Sequence, residues 1–209
     1  MQLVFEMQSY WLAGTGSDAG AYADNLSSKD RHGLPYIPAK TQKGQLREAF
    51  QLAENNGWFS EFDKQFDTSL TGLLFGSESR DGKNGQGVLQ FSNAELSDNE
   101  KAFFLEPDSI EESNARKSCL FTLINSTAID EMGKAKTYSL RSYEVAIPMT
   151  LISQLVAQSQ HLPSILREVI DQQLASWLDS VLPLVTHIGA KKQRGLGEVA
   201  INLVPEKGE

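Results

Sequence analysis

The chain has 209 residues, of which 40% are hydrophobic, and it carries a formal net charge of −8. Such a chain can bury a core, and its acidic balance argues against loose, non-specific binding to nucleic acid. The single cysteine, Cys119, excludes an intrachain disulfide and a zinc site built from cysteines. No apolar run is long enough to span a membrane, and no signal-peptide pattern is present. Together these features predict a cytoplasmic protein.

The chain begins with residues 2–12, which alternate apolar and polar positions and predict a first strand. Residues 13–33 then predict a long, mobile, polar loop that carries Asp18, Asp24 and Asp30. Loops of this length without regular structure are usually functional or disordered. For any one of these aspartates taken alone, a solvated loop residue is the simpler interpretation.

A proline-bounded segment, GLPYIPAKTQKGQLR at residues 33–47, follows the loop. Pro35 and Pro38 predict a short extended stretch, because proline fixes its own φ and biases the residue before it toward extended geometry. A helix should then run from about residue 39 to 55, with Leu46, Phe50 and Ala53 as its buried stripe.

The start of that helix is basic. Lys40, Lys43 and Arg47 recur at spacings of three and four, so they share one face of the helix. Open helix-start amides near Thr41, with cations behind them, would form a cradle for phosphate. A solvated basic face is the alternative interpretation, and spacing alone does not decide between the two.

The middle of the chain predicts a short helix at 58–66 and a strand at 88–92. Residues 97–117 are acidic and poorly patterned, which predicts a surface excursion. Strands at 119–125 and 143–152 enclose a polar stretch and predict a projecting β-hairpin.

The last part of the chain has helical spacing of apolar residues from Leu162 to Ile188, with Pro183 expected to kink or split the helix. A glycine-rich basic turn, GAKKQRGLGEV, follows. A final strand is predicted at 198–204.

Four of these stretches, in this order, resemble motifs of the RAMP superfamily, specifically of backbone subunits of type III CRISPR RNA-guided effector complexes. The resemblance covers nearly the whole chain and implies one RAMP domain, residues 1–209, with an α+β fold. That fold has a ferredoxin-like, RNA-recognition-type core and an inserted thumb β-hairpin at about 119–150. The four stretches are GLPYIPAKTQKGQLR, LFG followed by GVLQFSNAEL, STAIDEMGKAKTYSLRSYEV and GAKKQRGLGEV.

The resemblance also implies a function: binding the backbone of guide RNA within a filament of related subunits, and cutting paired target RNA. Base pairing by the guide would supply sequence specificity. In the last loop, glycines let backbone N–H groups close on a phosphodiester that basic side chains neutralise. The expected RNA-binding residues are Lys40, Thr41, Lys43, Arg47, Lys191, Lys192, Arg194, Gly195 and Gly197.

By the same resemblance, residues 13–33 form the catalytic loop, and Asp24 stands where the family keeps its cutting aspartate. Asp30 takes the usual second acidic position, and Asp18 is the lesser candidate. A divalent metal, magnesium by expectation and with unknown ligands, would assist the cut.

Two alternatives remain open. The subunit could bind RNA without cutting it, or it could be a guide-processing ribonuclease, in which case His32 is the residue to test. The chain also departs from the family pattern, with Ala39-Lys40-Thr41 where Gly-Ser-Ser is common and Asn93-Ala94 where Asp-Ala is preferred.

Overall fold

The computed structural model describes residues 1–14, 23–77, 85–106 and 109–205. The strands within these ranges are β1 (Gln2–Met7), β2 (Gly76–Ser77), β3 (Gly85–Gln86), β4 (Leu89–Phe91), β5 (Phe121–Ser126), β6 (Arg141–Ala146), β7 (Thr150–Ala157) and β8 (Val199–Val204). The α-helices are α1 (Ala39–Asn55), α2 (Ser60–Phe66), α3 (Leu70–Phe75), α4 (Asp98–Leu105), α5 (Ile110–Ser118) and α6 (Ser164–Val181). Short 3₁₀ helices occupy Leu182–Leu184 and Lys192–Arg194.

The main sheet of the described ranges has the strand order β4-β7-β1-β8, with antiparallel neighbours throughout. Its strands and the two longest helices follow one another along the chain as β1-α1-β4-β7-α6-β8. That β-α-β-β-α-β succession is the split βαβ arrangement of ferredoxin-like folds. The predicted α+β, ferredoxin-like fold class is therefore confirmed.

The core lies between this sheet and the helices on one of its faces. Along β1 the buried residues alternate, Leu3, Phe5 and Met7, because successive side chains of a strand point to opposite faces. On α1 the predicted stripe of Leu46, Phe50 and Ala53 is buried. Each large apolar side chain buried in this way contributes about 1.5–3 kcal/mol, and Phe50→Ala would cost about 3–5 kcal/mol through the cavity it leaves.

A projecting hairpin is inserted between β4 and β7. Strands β5 and β6 pair antiparallel from Phe121 opposite Ala146 to Ser126 opposite Arg141. No residue of the connecting segment, 127–140, is buried. The hairpin predicted in the region 119–150 is therefore present, and its tip stands clear of the core.

The prediction of one strand over 143–152 is wrong. The chain leaves the hairpin at Ala146 and enters the main sheet at Thr150, and Pro148 between them has no N–H to donate to a ladder. The indole N–H of Trp11 donates to Ile147 O at 3.0 Å and fixes the crossing. The break lies between the buried residues Val145 and Ala146 at the end of β6 and the buried Leu151 of β7, so the sequence shows one apolar run.

The acidic surface excursion at 97–117 contains two helices, α4 and α5, which the sequence interpretation did not assign. Ser97 and Glu100 form a capping box at the start of α4, and Ser109 caps α5. Neither helix has a buried residue, so no apolar periodicity marked them in the sequence.

The predicted helix at 162–188 is divided at its proline, as expected. Helix α6 ends at Val181, and Pro183 stands at the start of the 3₁₀ turn Leu182–Leu184. Among the described helices, none is both long and apolar enough to cross a membrane.

Candidate nucleic-acid interface

The proline-bounded segment is fixed on both sides before α1 begins. Ile37 exchanges two backbone hydrogen bonds with Ala94, each 2.9 Å long. The Asn93 side chain accepts the Ala39 N–H at 3.0 Å, which satisfies one of the amides left open at the helix start. Asn93 thus caps the start of α1, and the backbone of Ala94 pairs with that of Ile37, so α1 is held at a defined position.

The basic face of α1 is available to a ligand. Lys40 and Arg47 are exposed, and Lys43 and Thr41 are half-buried. No ion pair joins these three cations to any described residue. Since α1 carries no acidic residue in its first turn, the positive end of the helix dipole is not offset there. The predicted cradle therefore has the charge that an anion requires.

A cavity of about 510 Å³ joins this face to the C-terminal glycine-rich loop. Lys40, Thr41 and Gln45 of α1 line it together with Gly189 and Ala190 of the loop. Two stretches that the sequence analysis assigned separately to RNA binding thus border one opening. Its remaining lining residues are Ala13, Gly14, Ser28, Tyr36 and Pro38.

The three cations of the C-terminal loop have different surroundings. The Lys192 ammonium donates to the Gln45 side-chain oxygen and so ties the loop to α1. The Lys191 ammonium lies over the ring of Tyr143, 4.8 Å from its centroid. Arg194 is exposed and forms no hydrogen bond or ion pair through its side chain among the described residues, although its charge acts on the Tyr143 hydroxyl. Of the three cations, Arg194 therefore has the fewest competing contacts.

Both glycines of this loop have the positive φ that the sequence analysis expected. Gly195 has φ +76°, and a Cβ built on it would meet nothing within 4 Å. Gly197 has φ +80°, and its Cβ would lie 2.0 Å from Ile188 O. Gly197 is thus required by close backbone packing inside the protein, whereas Gly195 leaves open space in which a ligand backbone can approach.

Asp24 is attached to strand β6 of the hairpin, next to the connecting segment 127–140. Its Oδ2 accepts the Ser142 N–H at 2.7 Å, and its own N–H donates to Ser142 O at 2.8 Å. Its Oδ1 lies 3.8 Å from an Arg141 guanidinium nitrogen, and the Asp24 side chain is 42% exposed. The described part of the predicted mobile loop, residues 23–33, is therefore pinned at Asp24, while the carboxylate still reaches solvent.

The other residues considered for chemistry are placed less favourably. Asp30 Oδ1 accepts the N–H groups of His32 and Leu34 at 2.8 and 2.9 Å, which makes it the organiser of a turn. His32 is exposed, and its Nε2 accepts a hydrogen bond from Arg31 at 2.9 Å. Asp18 lies outside the described residues.

The proposed cutting residue and the basic loop converge on neighbouring positions of β6. Asp24 contacts Ser142, and Lys191 stacks on the adjacent Tyr143. A hydrogen bond to Ser126 is the main cause that lowers the pKa of the Tyr143 hydroxyl, and the charge of Lys191 lowers it further. The start of β6 therefore has a carboxylate on one residue and a cationic environment on the next.

The described residues do not form a divalent-metal site at this position. No group of three or more histidine, cysteine, aspartate or glutamate side chains within the described ranges has the spacing to hold an ion. Asp24 stands beside a guanidinium and already accepts a backbone N–H. Hard cations prefer several oxygen ligands, so Asp24 alone does not fit the requirement. The expected magnesium is not assigned to any residue.

Sequence reasoning did not identify Arg141, Ser142 and Tyr143 as parts of this site. They stand 117 or more residues from Asp24 along the chain, and their contacts depend on where the hairpin is inserted. The available signal was the change from the polar SLRS to the apolar YEVA, which marks the start of a strand.

Comparison with known proteins places the chain in a wider group. A sequence model of the family described as the RAMP superfamily matches residues 5–200. No curated protein is significantly similar in sequence.

Three solved structures share the fold. A chain of the type III-B Cmr-beta complex in its apo state is 13% identical over 98% of this chain and 97% of its own, with a TM-score of 0.60. One from the type III-B Cmr-beta complex bound to cognate target RNA is 13% identical over 96% and 95%, with a TM-score of 0.61. A chain of a type IV-B CRISPR complex is 16% identical over 100% and 91%, with a TM-score of 0.58.

Proposed function

The chain belongs to the RAMP superfamily, and on this basis we propose that it is a backbone subunit of a type III CRISPR RNA-guided effector complex. In this proposal the subunit binds guide RNA and cuts the target RNA that pairs with it. The proposal draws support from the fold shared with chains of type III-B Cmr-beta complexes, one of them bound to cognate target RNA.

Guide binding is assigned to the cavity between α1 and the C-terminal loop. Lys40 and Thr41 line this opening, and the Gly189-Ala190 backbone closes it. Arg194 and the open space at Gly195 extend the surface along the loop. Cations that contact phosphates, together with exposed backbone, bind RNA without reading its bases, which is all that a guide-bearing subunit requires.

The acidic face formed by α4 and α5 is assigned to neighbouring subunits or solvent. These helices have acidic first turns, with Asp98, Glu100, Glu111 and Glu112. Acidic side chains repel the phosphates of a nucleic acid. A net charge of −8 is compatible with RNA binding, because the local charge of a surface decides where an anion binds.

Cleavage is assigned to Asp24. The observation that carries this assignment is the convergence at the start of β6, where Asp24 and Lys191 contact the consecutive residues Ser142 and Tyr143. A strand of RNA bound by the basic loop would pass close to the Asp24 carboxylate. A carboxylate held within reach of a 2′-hydroxyl can orient it and accept its proton.

The test is cleavage by the reconstituted complex with guide RNA, matched target RNA and magnesium. We expect wild type to cut at regular intervals, Asp24→Ala to lose the cuts at this subunit's positions, and Asp30→Ala to retain them. Asp30 is a matched control because it is an aspartate of the same loop whose carboxylate serves a turn. Undiminished cutting by Asp24→Ala, with guide binding intact, would refute the assignment.

A binding-only subunit is the second candidate. Its specific support is the pair of hydrogen bonds between Asp24 and the backbone of Ser142, since a residue that fixes the hairpin in place has a structural role without chemistry. Under that alternative the wild-type complex binds target RNA and leaves it intact at this subunit's positions. The same cleavage assay therefore separates the two functions.

A guide-processing ribonuclease makes a different prediction. His32 is exposed, and its Nε2 accepts a hydrogen bond from the Arg31 guanidinium at 2.9 Å. That function would show as cutting of a guide precursor without added metal, lost in His32→Ala and kept in Asp24→Ala.

A further inference from the structure

Arg141 is the cation that stands next to the Asp24 carboxylate. It is the first residue of β6 and pairs with Ser126 across the hairpin. One guanidinium nitrogen lies 3.8 Å from Asp24 Oδ1, and the Arg141 side chain is 56% exposed. The Arg141 guanidinium also donates a hydrogen bond to the carbonyl of Leu140, its neighbour in the chain.

The backbone of Arg141 is fixed while its guanidinium can change partners. Residue 142, directly after it, forms two hydrogen bonds with Asp24, and the β5–β6 ladder holds the strand on the other side. An ion pair between exposed side chains contributes little to stability, because water screens it. Exchanging the Asp24 carboxylate for a phosphate therefore costs little, and the planar guanidinium matches two phosphate oxygens at once.

Two cations of the C-terminal loop, Lys191 and Arg194, act on the hydroxyl of the neighbouring Tyr143. Lys191 is directed onto the Tyr143 ring, and Lys192 is bound to Gln45. Among the side chains that contact Asp24 in the described structure, Arg141 alone is cationic.

We propose that Arg141 is a second catalytic residue of this site, acting on the scissile phosphate of the target RNA. This inference rests on the proposed cleavage function and adds a residue to it. On binding of the target, the guanidinium leaves Asp24 Oδ1 and binds the non-bridging oxygens of the phosphate. The freed Oδ1 then faces the 2′-hydroxyl, while Oδ2 stays on the Ser142 N–H.

The reaction that follows is an internal transesterification. The 2′-oxygen forms a bond to phosphorus and the bond from phosphorus to the 5′-oxygen breaks. The 2′-hydroxyl proton passes to Asp24, and a water molecule protonates the departing 5′-oxygen. The products are a 2′,3′-cyclic phosphate and a 5′-hydroxyl end. Arg141 neutralises the charge that builds on the phosphate oxygens, and donors placed there act most strongly in the transition state.

The test compares Arg141→Gln, Arg141→Lys and Asp24→Asn in the reconstituted complex under single-turnover conditions, with target binding measured separately. Lys64→Gln is the control, because it also removes one exposed cation, on α2, a helix with no assigned contact to RNA or to a neighbouring subunit. A target with a 2′-deoxy nucleotide at the cut position checks the nucleophile.

We expect Arg141→Gln to slow cutting at this subunit's positions by about 100-fold, with target affinity within about twofold of wild type. Arg141→Lys should recover part of the rate, the 2′-deoxy target should resist, and Lys64→Gln should cut normally. Wild-type cutting by Arg141→Gln, or a loss that follows target affinity alone, would overturn the role of Arg141 while leaving Asp24 in place. Normal cutting by Asp24→Asn would instead overturn the proposed function itself.

Discussion

Gly195 and Gly197 are two residues apart in one loop, and their surroundings give them different roles. Both have positive φ, but only Gly197 is packed against another backbone, at Ile188 O. Gly197→Ala should lower the free energy of unfolding by about 2–5 kcal/mol, from left-handed strain of about 1–2 kcal/mol and overpacking of about 1–3 kcal/mol. Gly195→Ala should lower it by about 1–2 kcal/mol, from the strain alone.

Urea unfolding of the two variants measures this difference. Guide binding is the second measurement: Gly195→Ala should weaken it while the subunit stays folded, because a methyl group enters the open space that faces the ligand. Equal destabilisation by the two substitutions would show that the packing at Ile188 O does not set the requirement for glycine.

At the scale of single residues, the sequence predicted where a candidate site residue stands in the chain better than which residues it contacts. Family resemblance placed Asp24 in the loop before the proline-bounded segment. The contact that defines its surroundings, with Ser142, spans 118 residues and is set by the insertion point of the hairpin. Local spacing contains no information about such a contact. Asp30, by contrast, bonds to residues two and four positions ahead, a local pattern typical of aspartate in turns.

At the scale of elements, the basic face of α1 makes a measurable contribution to RNA binding. Changing Lys40, Lys43 and Arg47 together to alanine should weaken guide binding and lower its salt slope by about two, since each single-strand phosphate contact contributes about 0.7. The slope is obtained from binding isotherms at several salt concentrations.

The control for this experiment removes three cations elsewhere, Lys64 on α2 and Arg116 and Lys117 on α5. It makes the same change in net charge but should leave the slope as in wild type. If both triple variants lower the slope equally, the effect comes from overall charge, and α1 has no specific place in the interface.

Elements with an apolar stripe were predictable, and elements without one were not. The α1 stripe of Leu46, Phe50 and Ala53 was buried as expected, because its periodicity follows from the need to cover a sheet. Helices α4 and α5 bury no residue, so only Ser97 and Ser109 at their N-termini marked them. The break between β6 and β7 was hidden because both ends are apolar, although Pro148 was a sign of it.

At the scale of the whole molecule, the hairpin tip is separable from the core. Tip residues such as Met132 and Tyr138 are exposed, and no described core residue comes from the segment 127–140. Replacing residues 128–138 with Asn-Gly, a sequence suited to a two-residue hairpin turn, should leave the thermal midpoint of the subunit within about 4 °C of wild type. Target binding in the complex should weaken, because exposed apolar and aromatic side chains stack on bases.

Thermal unfolding of the truncated subunit and target affinity of the complex are the two measurements. A substitution of Met132 and Tyr138 with serine is the milder control, which keeps the length of the hairpin. A large fall in the thermal midpoint of either variant would mean that the tip supports the core. The fold class itself was predicted from the resemblance to the RAMP superfamily, and the order of strands and helices along the chain agrees with it.

The position of β1 in the main sheet has a consequence for how the polypeptide is made. Leu3 pairs with Ser153 on one side and with Leu203 on the other, so both neighbours of β1 are synthesised 150 to 200 residues later. At about 5–20 residues per second, β1 waits on the order of ten seconds or more on the ribosome without its partners. Leu3, Phe5 and Met7 remain uncovered during that interval. Such long-range pairing makes folding slow, and it leaves an unpaired apolar strand open to aggregation while the rest of the chain is made.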